Sequence, residues 1–187
     1  MPGEFTNVPL PGLDLPVHPA RWRAAGPTRR AYSSTLDPTP EAVRRFTSRI
    51  VEAPGNGCHF LISAISGVDG YTRITWRRNG VSRTESGHRF ALLLAGQLHD
   101  GVVAEHRCNE PLCVRVHPDH VIASTQSANL RYAVACGRAG NPRTLATPTD
   151  RRARSLAVRD ALAGGWNPTA YAAASGIIPP PEHPTLF

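Results

Sequence analysis

The stretch AEHRCNEPLCVRVHPDHVIAST, residues 104–125, constrains this chain more than any other. Two thiols, Cys108 and Cys113, and three imidazoles, His106, His117 and His120, fall within fifteen residues, beside a run of valine and isoleucine. A C-x4-C loop can bring two sulfurs to one ion, and zinc takes four ligands in a tetrahedron drawn from thiolate and imidazole. A following histidine supplies a nitrogen; on spacing alone it is His120 or His117. The fourth ligand has to come from elsewhere. Cys58, just ahead of a strand-like segment, is the first choice, and Cys136 competes with it. A site closed by four protein ligands is structural and not catalytic. The expectation is therefore one zinc ion per chain, stiffening a loop with little core of its own.

The rest of the chain has to fold around that loop. Its 187 residues are enough for one domain with a core, plus extensions. All 21 basic residues are arginine, and the formal net charge is +7. The arginine fork donates two parallel hydrogen bonds to a phosphate, so a polyanion, double-stranded DNA first, is the expected partner. No apolar run approaches the length of a membrane span. The opening MPGEFTNVPLPGLDLP lacks the basic-then-apolar order of a secretory signal. The expected setting is therefore cytoplasmic, where thiols stay reduced and clustered cysteines bind metal.

Prolines crowd both ends, which predicts extended arms. In TPEAVRRFTSRIVEAPG, Thr39 is a helix N-cap and Pro40 lies in the first turn. Val43, Phe46, Ile50 and Val51 recur at helical spacing, with Gly55 beyond the end. GYTRITW, the RNG turn and VSRTE make a hairpin, and HRFALLLAG is helix-prone. VIAS is a short strand, and Thr125 caps a helix QSANLRYAVA. After a linker come two short helices and the tail IIPPPEHPTLF. Three segments result: a proline-rich arm and helix over 1–54, a zinc-bound core over 55–136, and the linker, helices and tail over 137–187, a candidate dimerisation region.

His106 stands apart from the cage. It follows an apolar stretch two residues before Cys108, and along an extended backbone it does not easily serve the same ion. A histidine at a strand end in a basic protein is a candidate general base against a phosphodiester, with a structural histidine or a spare ligand as alternatives. Such hydrolysis needs a divalent cation, and the Asn129 amide oxygen, one turn into the helix after Thr125, is a hard ligand suited to magnesium. In the hairpin, Arg73, Arg77, Arg78 and Arg83 fit a ribbon reading the major groove.

These residues carry a resemblance. GYTRITW…HRFALLLAG…VVAEHRCNEPLCV…HPDHVIASTQSANLR, over roughly 55–135, resembles the HNH nucleases of the ββα-metal (His-Me finger) superfamily. It is similar to phage-encoded HNH proteins and to the His-Cys box homing endonucleases, on the pattern H-x-C-x4-C…H-x8-N. The resemblance implies an α+β fold: a ββα-metal core, an antiparallel DNA-binding hairpin and a zinc-stabilised loop. It implies a site-specific DNA endonuclease, of homing or phage mobile type, leaving a 5′-phosphate and a 3′-hydroxyl. A type II restriction enzyme on the same fold and a zinc-stabilised DNA-binding protein without cleavage are the alternatives. His106 would be the base, Asn129 the magnesium ligand, and His120 the zinc ligand beside Cys58, Cys108 and Cys113. Arg83, just past the hairpin turn, would contact the scissile phosphate, with Arg73 and Arg78 as rivals. A homodimer would cut both strands. Three departures stand out: the segment from Cys113 to His120 is two residues longer than in such families, the second zinc cluster is absent, and the usual DNA-recognition helices after the core are shortened.

Overall fold

A computed structural model of the chain describes residues 35–136 and 148–176, all within one compact unit, Ala31–Phe187. Most of the expected N-terminal arm, most of the linker after Cys136 and the C-terminal tail lie outside the described residues. The fold is mixed α+β. In order it runs α1 (Pro40–Thr47), β1 (Ile50–Glu52), β2 (His59–Leu61), β3 (Ala64–Ile65), β4 (Thr72–Arg78), β5 (Val81–Ser86) and α2 (Gly87–Leu94). Then come β6 (Val103–His106), β7 (Val121–Ser124), α3 (Gln126–Ala135), α4 (Pro148–Ala161) and α5 (Pro168–Ser175). The strands form three small antiparallel sheets: β1–β2, β3–β4–β5 and β6–β7.

The local signals in the sequence explain most of these elements. Thr39 accepts a hydrogen bond from the Ala42 N–H, and Pro40 occupies the first turn of α1. The helix stops at Thr47, however, short of the Ile50 and Val51 that helical spacing would include. Those β-branched residues pair instead with β2, Ile50 with Leu61 and Val51 with Phe60. Tertiary pairing overrides the periodicity there, in the direction β-branching favours. The β4–β5 turn has positive φ at both Asn79 (51°) and Gly80 (76°), the twist that joins two strands through two residues. Thr125 accepts from the Ala128 N–H and opens α3.

The core explains how the loop of cysteines is held. Ile74 and Trp76 of β4 pack with Ala42, Phe46, Leu61, Phe90, Ala91 and Val114 in one cluster. The Phe46 and Phe90 ring centres are 4.9 Å apart, and Trp76 meets Phe90 edge-on at 5.2 Å, a geometry that adds about 0.5–1.5 kcal/mol per pair beyond area burial. A second cluster joins Ala53, Phe60 and Leu112 to Val158 and Leu162 of α4. A third holds Leu92, Cys113 and Val121. The consecutive residues Leu112, Cys113 and Val114 thus enter three different clusters. The expectation of a loop with little core of its own is corrected: the loop is where the clusters meet. The segments on either side of residues 55–136 share this core, through Phe46 on one side and Val158 on the other. No helix among the described residues is long and apolar enough to cross a membrane.

Candidate metal centre and the histidine beside it

Four side chains from three places in the chain converge. Cys58 precedes β2, Cys108 and Cys113 flank the loop after β6, and His120 precedes β7; their ligand atoms all lie within 4.8 Å of one another. His120 Nδ1 is 3.6 Å from Cys58 Sγ and 3.7 Å from Cys113 Sγ. A tetrahedral zinc with ordinary Zn–S and Zn–N bonds requires an S···N edge of about 3.6 Å. The cluster fits zinc by that measure.

The surroundings fit as well. His120 Nε2 lies 2.9 Å from the Asn56 carbonyl. A carbonyl can only accept, so the proton is on Nε2 and the lone pair on Nδ1 faces the sulfurs. Backbone N–H groups of Glu110 and Arg115 donate to Cys108 and Cys113, which favours thiolate. Hydrogen bonds from Cys113 and Cys58 hold the Cys108 thiol well below its ordinary range. Its hydrogen bond to Cys108 pushes Cys113 up to about 12, and Cys58 rises for the same reason. A divalent ion binding there would displace protons from the sulfurs.

The two residues that competed for the cage are elsewhere. His117 is half-exposed and faces Asp119, with its Nδ1 3.5 Å from the carboxylate and 3.3 Å from the Asp119 N–H. The two extra residues before His120 are taken up in that turn, closed by a 2.9 Å bond from the His120 N–H to the His117 carbonyl. Cys136 is exposed at the end of α3.

His106 ends β6, buried, with Nε2 2.9 Å from the Cys113 carbonyl. By the same reasoning Nε2 carries the proton, and the basic lone pair is on Nδ1. One residue therefore serves both groups: Cys113 gives its sulfur to the cage and its carbonyl to His106. Around the ring stand Tyr71, stacked with centres 5.7 Å apart, and His88 at 4.5 Å. Burial first, then the neighbouring His106, Arg89 and Arg73, hold His88 well below the usual imidazole range. Sequence patterning carried no sign of this contact between His88 and His106.

The order β6, β7, α3 is strand, antiparallel strand, helix, paired from Val103 with Ser124 to His106 with Val121. Asn129 is half-buried on the same face of α3 as Tyr132, whose hydroxyl donates to the Arg107 carbonyl at 2.7 Å. That face looks toward the end of β6. Glu105 is fully buried and meets Arg107 at 2.9 Å.

Strand parity divides the arginines. Arg73 and Arg77 share the open face of β4 with Thr75; Arg78 is exposed beside the turn. Arg83 is placed otherwise. It lies opposite Trp76 on the core face, 7% exposed, bound to Glu85 at 2.8 Å and to the Leu36 carbonyl at 3.3 Å. Arg83, expected at the scissile phosphate, shares the parity of Ile74 and Trp76, and its guanidinium is turned inward. Arg73, held by Asp69, is the hairpin arginine whose charge reaches His88. The chain matches no family model, no curated protein and no solved structure in the comparisons made.

Proposed function

We propose that this protein is a metal-dependent DNA endonuclease of the ββα-metal type, site-specific and of homing or phage mobile kind. One observation carries the reading. His106 closes the first strand of a strand–strand–helix unit, its tautomer fixed by the carbonyl of a cage cysteine. A basic Nδ1 in that setting suits a general base, which typically contributes about 10²–10⁴-fold. His106 takes a proton from water, and the hydroxide oxygen bonds to phosphorus in line. The bond to the 3′-oxygen breaks, leaving a 5′-phosphate, and that oxygen gains a proton from solvent. Arg73 steadies the non-bridging oxygens. Bound at Asn129, magnesium would supply positive charge against the leaving oxygen; its other oxygens would come from phosphate and water, as is usual for this ion.

The zinc cage holds the loop and takes no part in the chemistry. The exposed Arg77 and Arg78, with Arg73, form a basic ribbon for duplex DNA. A homodimer would cut both strands; the tail of the candidate dimerisation region lies outside the described residues. The test is cleavage of a supercoiled plasmid library with magnesium by wild type and His106→Ala, with zinc per chain measured alongside. Discrete fragments from the wild type, and DNA binding without cleavage by a zinc-loaded variant, are expected. If the zinc-loaded wild type binds DNA and leaves it intact under these conditions, the enzyme reading falls and a zinc-stabilised DNA-binding protein remains.

A further inference from the structure

The loop between the two loop cysteines contains a buried carboxylate that neither the cage nor His106 uses. Glu110 is 2% exposed. Its Oε1 accepts from the Leu112 N–H at 3.2 Å. Its remaining partners come from the far end of the described chain. Arg154 of α4 donates Nη2 to Oε2 at 2.9 Å and Nη1 to Oε1 at 3.4 Å, and the Tyr171 hydroxyl of α5 donates to Oε2 at 3.0 Å. An unpaired carboxylate at such a depth is strongly unfavourable, so these donors fix where Glu110 can be. Arg154 also donates Nε to the Ser175 carbonyl at 3.1 Å, tying the end of α5 to the same node.

Glu110 passes that constraint to the cage through its backbone. Its N–H donates to Cys108, and its carbonyl accepts from the Cys113 N–H at 3.0 Å. Apolar contacts run in parallel. Leu112, fully buried, packs with Val158 and Leu162, and Cys58 borders the same cluster. Phe60, two residues after Cys58, packs against both Trp166 at 5.7 Å and Tyr171 at 5.0 Å, whose rings also meet at 5.5 Å. Three of the four ligands therefore rest on a helix pair that supplies no ligand.

We infer that the α4–α5 hairpin is the outer wall of the metal cage, with Arg154 and Tyr171 as positioning residues that act through Glu110 to set the loop carrying Cys108 and Cys113. Partners of metal ligands typically change metal affinity by about 10–100-fold when removed. The coupling is reciprocal: what the hairpin does for the metal, the metal does for docking of the hairpin. This inference stands on the cage geometry and holds whether or not the protein cuts DNA.

The experiment follows zinc transfer from full-length protein to a chromophoric chelator, well below the unfolding temperature. Arg154→Ala should release zinc about tenfold faster or more, at the lower edge of the outer-partner range, with Arg154→Lys partly restoring retention. Tyr171→Phe should release it measurably faster than wild type, and Arg159→Ala, whose side chain pairs with the exposed Asp160, should match wild type. Zinc removal from wild type should raise amide exchange in α5. Lower thermal stability with wild-type zinc release in both Arg154→Ala and Tyr171→Phe would overturn the inference, leaving ordinary helix docking. If Arg154→Ala fails to fold, Tyr171→Phe decides alone, since it removes one hydroxyl. A wild type that holds zinc in this way but leaves DNA uncut would defeat the nuclease reading and leave this one intact.

Discussion

Replacing either of two cage ligands removes one metal bond, yet the two losses differ in size. Cys58 is separated from Cys108 by fifty positions, and His120 from Cys113 by seven. A cross-link stabilises by limiting the unfolded chain, by about 4.1 kcal/mol for a loop of fifty residues and about 2.3 kcal/mol for one of seven. A metal clip acts in the same way. Cys58→Ala leaves Cys108, Cys113 and His120, a compact set that no longer ties the β1–β2 turn to the loop. His120→Ala leaves the long closure intact. The local losses offset: His120 gives up its bond to the Asn56 carbonyl, about 1 kcal/mol, and Cys58 gives up packing against the Phe60 cluster. Cys58→Ala should therefore be less stable than His120→Ala by about 1.8 kcal/mol. In a chain of this size that separates the melting temperatures by about 5 °C. Urea unfolding at fixed free zinc, with metal content measured for each variant, makes the comparison. If both variants keep zinc and His120→Ala is equally or more destabilised, long-range closure is not what the metal contributes.

Further outcomes follow from particular contacts. Arg83→Ala should destabilise by about 3 kcal/mol, the low end for breaking a buried ion pair because Arg89 still holds Glu85. Arg77→Ala should change stability by less than about 0.5 kcal/mol while lowering DNA affinity and the salt slope by about one; urea titration and DNA binding at several salt concentrations separate the two. Gly87→Ala places a methyl 2.3 Å from Thr72 Oγ1 and 2.8 Å from Leu61 Cδ2. A loss of about 1–3 kcal/mol is expected in thermal melts, and an unchanged melting temperature would contradict that packing. His88 has its folded pKa depressed, so the unfolded chain binds the extra proton. Its contribution is present above the ordinary imidazole value and is lost as pH falls from about 6.5 toward the folded value, at up to about 1.4 kcal/mol per pH unit. Zinc-loaded His88→Gln should lack that part of the slope in urea titrations between pH 7 and 5; identical slopes would count against it.

What could be read in the sequence was local chemistry. The Thr39 and Thr125 caps, the Asn79–Gly80 turn and the strand Val121–Ser124 are set by neighbours within a few residues, and each forms where the pattern puts it. Cys108 and Cys113, with Cys58 as first choice, were nameable because metal chemistry limits the residue types and the spacing, whereas His120 over His117 came from the resemblance alone. Ile50 and Val51 were misread because their strand partner lies across a turn, and helical spacing carries no information about it. The inward placement of Arg83 was not legible, because parity on β5 depends on the register with β4 and on which face meets Phe90. The Glu110 network was beyond reach, since its donors lie 44 and 61 positions away in regions that read only as helix.

The cage and the candidate base are not two features that happen to be adjacent. Cys113 belongs to both, with its sulfur in the cage and its carbonyl on His106 Nε2. Under the proposed function, a metal held through Cys113 would turn its binding energy into orientation of the His106 ring, without the ion touching substrate. The neighbours of Cys113 extend the same design: Leu112 engages α4, Val114 engages the β4–α2 core, and all three consecutive residues are buried. The rigidity that three residues of loop could not supply alone is drawn from three directions and delivered to one carbonyl oxygen.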